Sequence, residues 1–119
     1  LRWEPPLLSI LRTATRDTEV AGVAIPAGAL VSVNLGAANR DPSEFENPDT
    51  FDITRPKRKN VAFGHGIHHC LGASLAEAEG EIALRTFFGR LPQVELKPGN
   101  LTWRHPFALR GVVSLPVTF

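Results

Sequence analysis

The chain has 119 residues, 43% of them apolar and 21% charged, with 13 basic against 12 acidic side chains. That length suffices for one globular domain with its own core, and a net charge of +1 leaves no electrostatic footprint for nucleic acid or an acidic membrane surface. No apolar run approaches the roughly 18 residues of a spanning helix.

Ten glycines and ten prolines predict much turn and irregular backbone. Cys70 is the only cysteine, which excludes an intramolecular disulfide and favours a reducing, cytoplasmic setting. Methionine is absent even at position 1, so the expectation is a processed chain or a piece of a longer one.

In chain order, Leu1 to Pro6 reads as the end of a helix stopped by Pro5 and Pro6. Arg12–Thr15, Val23–Ile25 and Ala29–Val33 are β-prone stretches. Ile25-Pro26-Ala27-Gly28 fits a type I turn. Between Ala37 and Arg55, the motifs Asn39-Arg40-Asp41-Pro42 and Asn47-Pro48-Asp49 predict a short helix and then a meandering loop. Leu71, Leu75, Ala78 and Ile82 then form one apolar stripe at helical spacing, expected to be core, with Glu81 and Arg85 as an i,i+4 pair. Gly89 and Pro92 end this helix, and a turn at Pro98-Gly99-Asn100 precedes a final alternating strand from Val113 to Val117.

The segment that carries chemistry is Phe63-Gly64-His65-Gly66-Ile67-His68-His69-Cys70-Leu71-Gly72. It places a sulfur at the mouth of a helix, after glycines that permit close approach to the backbone. Unpaired N–H groups and the positive end of the macrodipole favour a thiolate there, able to ligate a metal or act as a nucleophile.

The spacing Phe-x-x-Gly-x-x-x-Cys-x-Gly, carried by Phe63, Gly66, Cys70 and Gly72, resembles the haem-ligand loop of the cytochrome P-450 superfamily. Flanking segments agree. Ala73 through Glu79 resembles the small-residue and acidic continuation, and Asn39 through Arg55 the approach to the family's meander. Arg12-Thr13-Ala14 resembles the strand after its Glu-x-x-Arg helix. The resemblance spans residues 1–119 and implies an α+β segment of the mainly-α P-450 fold: small β hairpins, meander, cysteine-ligand loop, following helix and C-terminal strands.

Residue by residue, the resemblance implies Cys70 as the proximal thiolate on the iron of haem b, with Phe63 packed beside the sulfur. Gly66 and Gly72 would let the loop pass close under the porphyrin, Gly64 and Leu71 would also belong to the haem-binding set, and Ala76 would face the macrocycle. Arg12 and His68 would bind haem propionates. Arg2 would be the arginine of Glu-x-x-Arg and Arg55 the meander arginine, both paired with a glutamate two places before Leu1. Leu8, Ile10, Ala108 and Leu109 would edge the pocket of a small apolar organic substrate.

The implied reaction is monooxygenation: O₂ and two electrons are consumed, one oxygen leaves as water and the other enters a C–H or C=C bond. The resemblance also implies a soluble, bacterial-type enzyme, a ferredoxin or flavoprotein electron donor, and no membrane or nucleic-acid partner. The distal helix and upstream propionate ligand of the family have no counterpart here, so the N-terminal part of the same domain is expected as a partner. The other outcome is a truncated or degenerate haem-binding module without catalysis. For the loop itself, an inert buried thiol, a Cys–His nucleophile and zinc held by His65, His68, His69 and Cys70 are the competing readings. The run Pro56-Lys57-Arg58-Lys59 reads as a solvated loop or a share of the donor-docking face.

Overall fold

The computed structural model describes residues 1–104 and 109–119, which divide into two compact units. One comprises residues 1–62 with Leu109, the other residues 63–104 and 110–119.

The first unit is built on two small antiparallel ribbons. Strand β1 (Ser9–Thr13) pairs with β4 (Leu30–Asn34), Ser9 opposite Asn34 and Thr13 opposite Leu30. Between them lies a tight hairpin, β2 (Thr18–Val20) and β3 (Val23–Ile25). Its two-residue turn has Ala21 and Gly22 both at positive φ (51° and 81°), which matches the right-handed twist of the flanking strands. Sequence patterning misses β2, a three-residue strand with no buried side chain to set a period.

The proline turn is displaced by one residue from its expected place. Ala29 N–H donates to the Pro26 carbonyl at 3.1 Å, with Gly28 third in the turn at φ +82°. A positive φ at that place is the type II geometry, and it requires the glycine one position earlier than a type I turn does. Asp17 Oδ1 accepts from Ala27 N–H at 2.7 Å and ties the turn to the start of the hairpin.

Strand β4 runs directly into α1 (Leu35–Ala38), capped by Asn34, whose Oδ1 accepts from Ala37 N–H at 2.8 Å. Leu35 is buried, as are Phe45, Ala62, Pro5 and Asn39, and together they form the small interior of this unit. The segment before β1 is irregular rather than the end of a helix. Pro5 and Pro6 have no N–H to give a helix, and side chains hold the segment instead. Arg40 donates to the Trp3 carbonyl from both Nε (3.0 Å) and Nη2 (2.7 Å) and lies over the Trp3 ring at 4.6 Å. Trp3 Nε1 donates in turn to the Asp49 carbonyl.

The second unit holds the Phe63–Gly72 loop, helix α2 (Ala73–Arg90), and β5 (Glu95–Leu96) paired with β6 (Val117–Thr118). The expected Glu81–Arg85 pair forms at 2.7 Å. The final strand is much shorter than the alternating pattern suggests. Val113 N–H is taken by the Thr102 carbonyl, and Pro116 has no N–H and accepts from Lys97 through its carbonyl.

The apolar stripe of α2, expected to be core, is largely uncovered. Leu75 and Ile82 are 64% and 65% exposed, and Ala73 is the only residue of α2 that is buried among the described residues. The stripe is present in the sequence, but the core it was expected to join is not supplied by these residues.

Candidate haem-thiolate site

The loop after Phe63 is held by its own backbone. Cys70 N–H donates to the Phe63 carbonyl at 2.8 Å, and His69 N–H to the Gly66 carbonyl at 3.1 Å, around a single 3₁₀ turn at Gly66–His68. Gly64 and Gly66 both have positive φ, 75° and 62°. At Gly64 the requirement is also steric, because a Cβ would stand 2.9 Å from the His68 carbonyl oxygen. A Cβ at Gly66 would meet nothing within 4 Å, so there the backbone angle alone favours glycine.

From this loop the chain enters α2 with no side-chain cap. Gly72 is the N-cap residue, Ala73 N–H donates to the Cys70 carbonyl, and Ala76 N–H to the Gly72 carbonyl. Cys70 is free and exposed. Ile67 and Leu71, on either side of it in sequence, are 97% and 103% exposed. Full exposure of two large aliphatic side chains beside a thiol is costly in water, on the order of 1.5–3 kcal/mol for each side chain left uncovered. Phe63 is half-buried and its ring centroid lies 6.5 Å from that of His69.

Phe63, Gly64, Gly66, His68, Cys70, Leu71, Gly72 and Ala76 thus all lie in the second unit, on one continuous loop and the first turns of α2. Arg12, Leu8 and Ile10 lie in the first unit. Arg12 is on β1, exposed, with Nη1 donating to the Leu11 carbonyl at 2.8 Å. Ile10 pairs with Val33, and the Leu8 carbonyl receives Leu35 N–H and Gly36 N–H. Leu109 bridges to Leu7, whereas Ala108 lies outside the described residues.

The two arginines expected to share a glutamate are both occupied with carbonyls. Arg2 donates to Asn39 O (2.7 Å) and Pro48 O (3.2 Å), and Arg55 to Glu46 O and to Asn47 O (2.9 Å). Burial, and then the charges of Arg55 and Arg40, hold the Arg2 guanidinium below its ordinary pKa. Arg55 Nε is buried without a partner among the described residues.

The donor set and its surroundings fit a haem. One exposed sulfur stands between uncovered aliphatic groups, beside Gly66 and Gly72, where even a Cβ would meet nothing closer than 3.9 Å. Zinc is a poorer match, since among the described residues no three His, Cys, Asp or Glu side chains converge as a metal-ion site. Sequence reasoning passed over Asn39, which is fully buried, and the Arg40–Trp3 stack. Both sit in a stretch that reads locally as turn, and their partners are 22 and 37 residues away.

The cytochrome P450 family model matches residues 1–116, and the chain belongs to that family of haem-dependent monooxygenases, which bind haem through a cysteine thiolate. It is 47% identical to the biotin biosynthesis cytochrome P450 of Bacillus subtilis (strain 168) over 119 residues, covering all of this chain and 30% of the relative. It is 46% identical to the 6-deoxyerythronolide B hydroxylase of Saccharopolyspora erythraea, covering 98% of this chain and 30% of that protein. Among solved structures, P450BioI in complex with an acyl carrier protein ligated to hexadec-9Z-enoic acid superposes with a TM-score of 0.92 at 47% identity, over 99% of this chain and 30% of that one. The ligand-free P450 monooxygenase TamI gives 0.94 at 44% identity, over 98% and 29%. The α+β segment expected from the resemblance is therefore the observed one. The chain spans less than a third of the relatives it matches, and among the described residues no helix is long and apolar enough to cross a membrane.

Proposed function

We propose that the chain supplies the thiolate side of a haem-dependent monooxygenase, and that Cys70 would be the residue holding its iron. The observation that carries this is the Phe63–Gly72 loop, which closes on itself through Cys70 N–H and leaves the sulfur exposed between Ile67 and Leu71. When bound, the haem supplies O₂ activation, and a thiolate ligand donates electron density that favours O–O cleavage.

The residues of this chain do the holding and shaping. Phe63 would pack beside the sulfur, Gly64, Gly66 and Gly72 would let a haem approach the loop closely, and Ile67, Leu71 and Ala76 would give it apolar contact. Arg12 and His68 would each be a donor to a haem propionate. Arg55 Nε, buried and unpartnered among the described residues, and the mutual repulsion of Arg2 and Arg55 favour a carboxylate between them. Leu8, Ile10, Ala108 and Leu109 edge the pocket of a small apolar organic substrate. A ferredoxin or flavoprotein delivers the electrons in the cytoplasm. Lys57, Arg58 and Lys59 are all exposed for such a partner, and Arg58 also donates to the Glu44 carbonyl.

In the complete protein, reduction under carbon monoxide gives the red-shifted Soret band of thiolate ligation, and Cys70→Ala abolishes it. A band that survived Cys70→Ala would remove Cys70 from the iron. A haem-binding module without catalysis is the second reading. Substrate-dependent NADPH or NADH consumption with a supplied donor, accompanied by an oxygenated product, separates the two.

A further inference from the structure

Asn39 is fully buried, and its Oδ1 accepts from the backbone N–H of Val61 at 2.8 Å, across 22 residues. Its own N–H donates to the Leu35 carbonyl, and its carbonyl receives Arg2 Nη1 at 2.7 Å. Nδ2, equally buried, has no partner among the described residues. A half-satisfied amide in an interior is a net cost that a leucine of similar volume would avoid. What Asn39 provides and leucine does not is an acceptor for Val61.

Val61 and Ala62 are the last residues before the loop. They belong to no strand, and both of their N–H groups are taken by asparagine side chains, Val61 by Asn39 and Ala62 by Asn60 Oδ1 at 3.1 Å. Ala62 is itself buried. Phe63 follows directly, and its carbonyl is the acceptor of Cys70 N–H. The path from the Asn39 amide to the Cys70 amide therefore runs along three consecutive residues of chain and two hydrogen bonds.

We propose that Asn39 is a positioning residue for the thiolate loop: by holding the Val61–Ala62 stem it fixes the Phe63 carbonyl against which Cys70 closes. This rests on the assignment of Cys70 as the iron ligand. Asn39 touches neither haem nor substrate in this role and acts only through the stem.

The test uses the complete haem-loaded protein and four variants, Asn39→Leu, Asn39→Ser, Asn39→Asp and Phe45→Leu. Phe45→Leu disturbs the same interior without touching the Val61 bond. In guanidinium below each variant's own unfolding midpoint, the red-shifted band of the reduced carbon monoxide complex should decay several-fold faster in Asn39→Leu and Asn39→Ser than in Phe45→Leu. Asn39→Asp, which keeps the acceptor, should stay within about twofold of the parent. Amide exchange gives a readout independent of the haem spectrum. The parent's Val61 amide is protected, and in Asn39→Ser the Val61 and Cys70 amides exchange faster together, by about tenfold. If Asn39→Leu does not fold, Asn39→Ser and the exchange data decide. An unprotected Val61 amide in the parent overturns the proposal, as does acceleration at Val61 with Cys70 and the band unchanged. Persistence of the band in Cys70→Ala would instead overturn the ligand assignment itself.

Discussion

The Cys70 N–H donates to the Phe63 carbonyl at 2.8 Å, so the residue that begins the loop and the one that bears its sulfur are joined by backbone alone. Six residues lie between them in sequence, and among the described residues no side-chain hydrogen bond contributes to the closure. The sulfur is thereby placed by main-chain geometry, which tolerates substitution at Ile67 or His69 better than at the glycines.

Gly64→Ala tests this geometry. The new methyl would lie 2.9 Å from the His68 carbonyl oxygen at a φ of 75°, so the loop must open or strain. The expected cost is about 1–3 kcal/mol, with haem lost at lower temperature than in the parent. Thermal release followed at the Soret band reads it. Unchanged release would mean the loop relaxes without penalty.

Arg40→Ala should destabilise the first unit by about 1–3 kcal/mol, through loss of a two-pronged charged hydrogen bond and a cation–π stack. The Trp3 carbonyl and ring lose their partner, and the Asp49 and Glu4 contacts at 3.3 Å go with it. Arg40→Lys keeps the charge but cannot reproduce the fork, so it should recover less than half of the loss. Denaturant midpoints with Trp fluorescence measure both.

Asp41 and Asp52 make the same local turn. The Ser43 hydroxyl and then its N–H hold the Asp41 carboxyl below the usual range, and Thr54 does the same for Asp52. A folded-state value below the unfolded one stabilises the fold at pH above the unfolded value of about 3.9, and that contribution disappears as pH falls through the lowered value. Ser43→Ala and Thr54→Ala should each raise the titration midpoint of their aspartate. Carboxyl-carbon NMR shifts against pH follow the two sites separately.

The 119 residues produced alone should bind an apolar dye and self-associate. Leu75, Ile82, Leu84 and Phe88 on α2 are all more than half exposed, and uncovered apolar side chains of this kind promote dye binding and association. Fluorescence enhancement and light scattering report it. Replacing Leu75 and Ile82 with glutamate should reduce both signals, and failure to do so would move the sticky surface elsewhere.

The chemistry-bearing loop is legible in the residues alone, because its requirements are local. Glycines at 64 and 66 answer to backbone angles, Cys70 is the only thiol, and the helix after it follows from the spacing of Leu75, Ala78 and Ile82. The hairpin at Ala21-Gly22, the irregular start at Pro5-Pro6 and the one-residue shift of the Pro26 turn depended on pairings that short segments do not encode. Only the tertiary structure revealed that the helix stripe has no core to join among these residues, and that Asn39 holds the stem of the loop. Periodicity tells which side chains want burial but not whether a partner is present. A buried amide is recognisable only through the N–H it meets 22 residues away, a distance at which local pattern carries no signal.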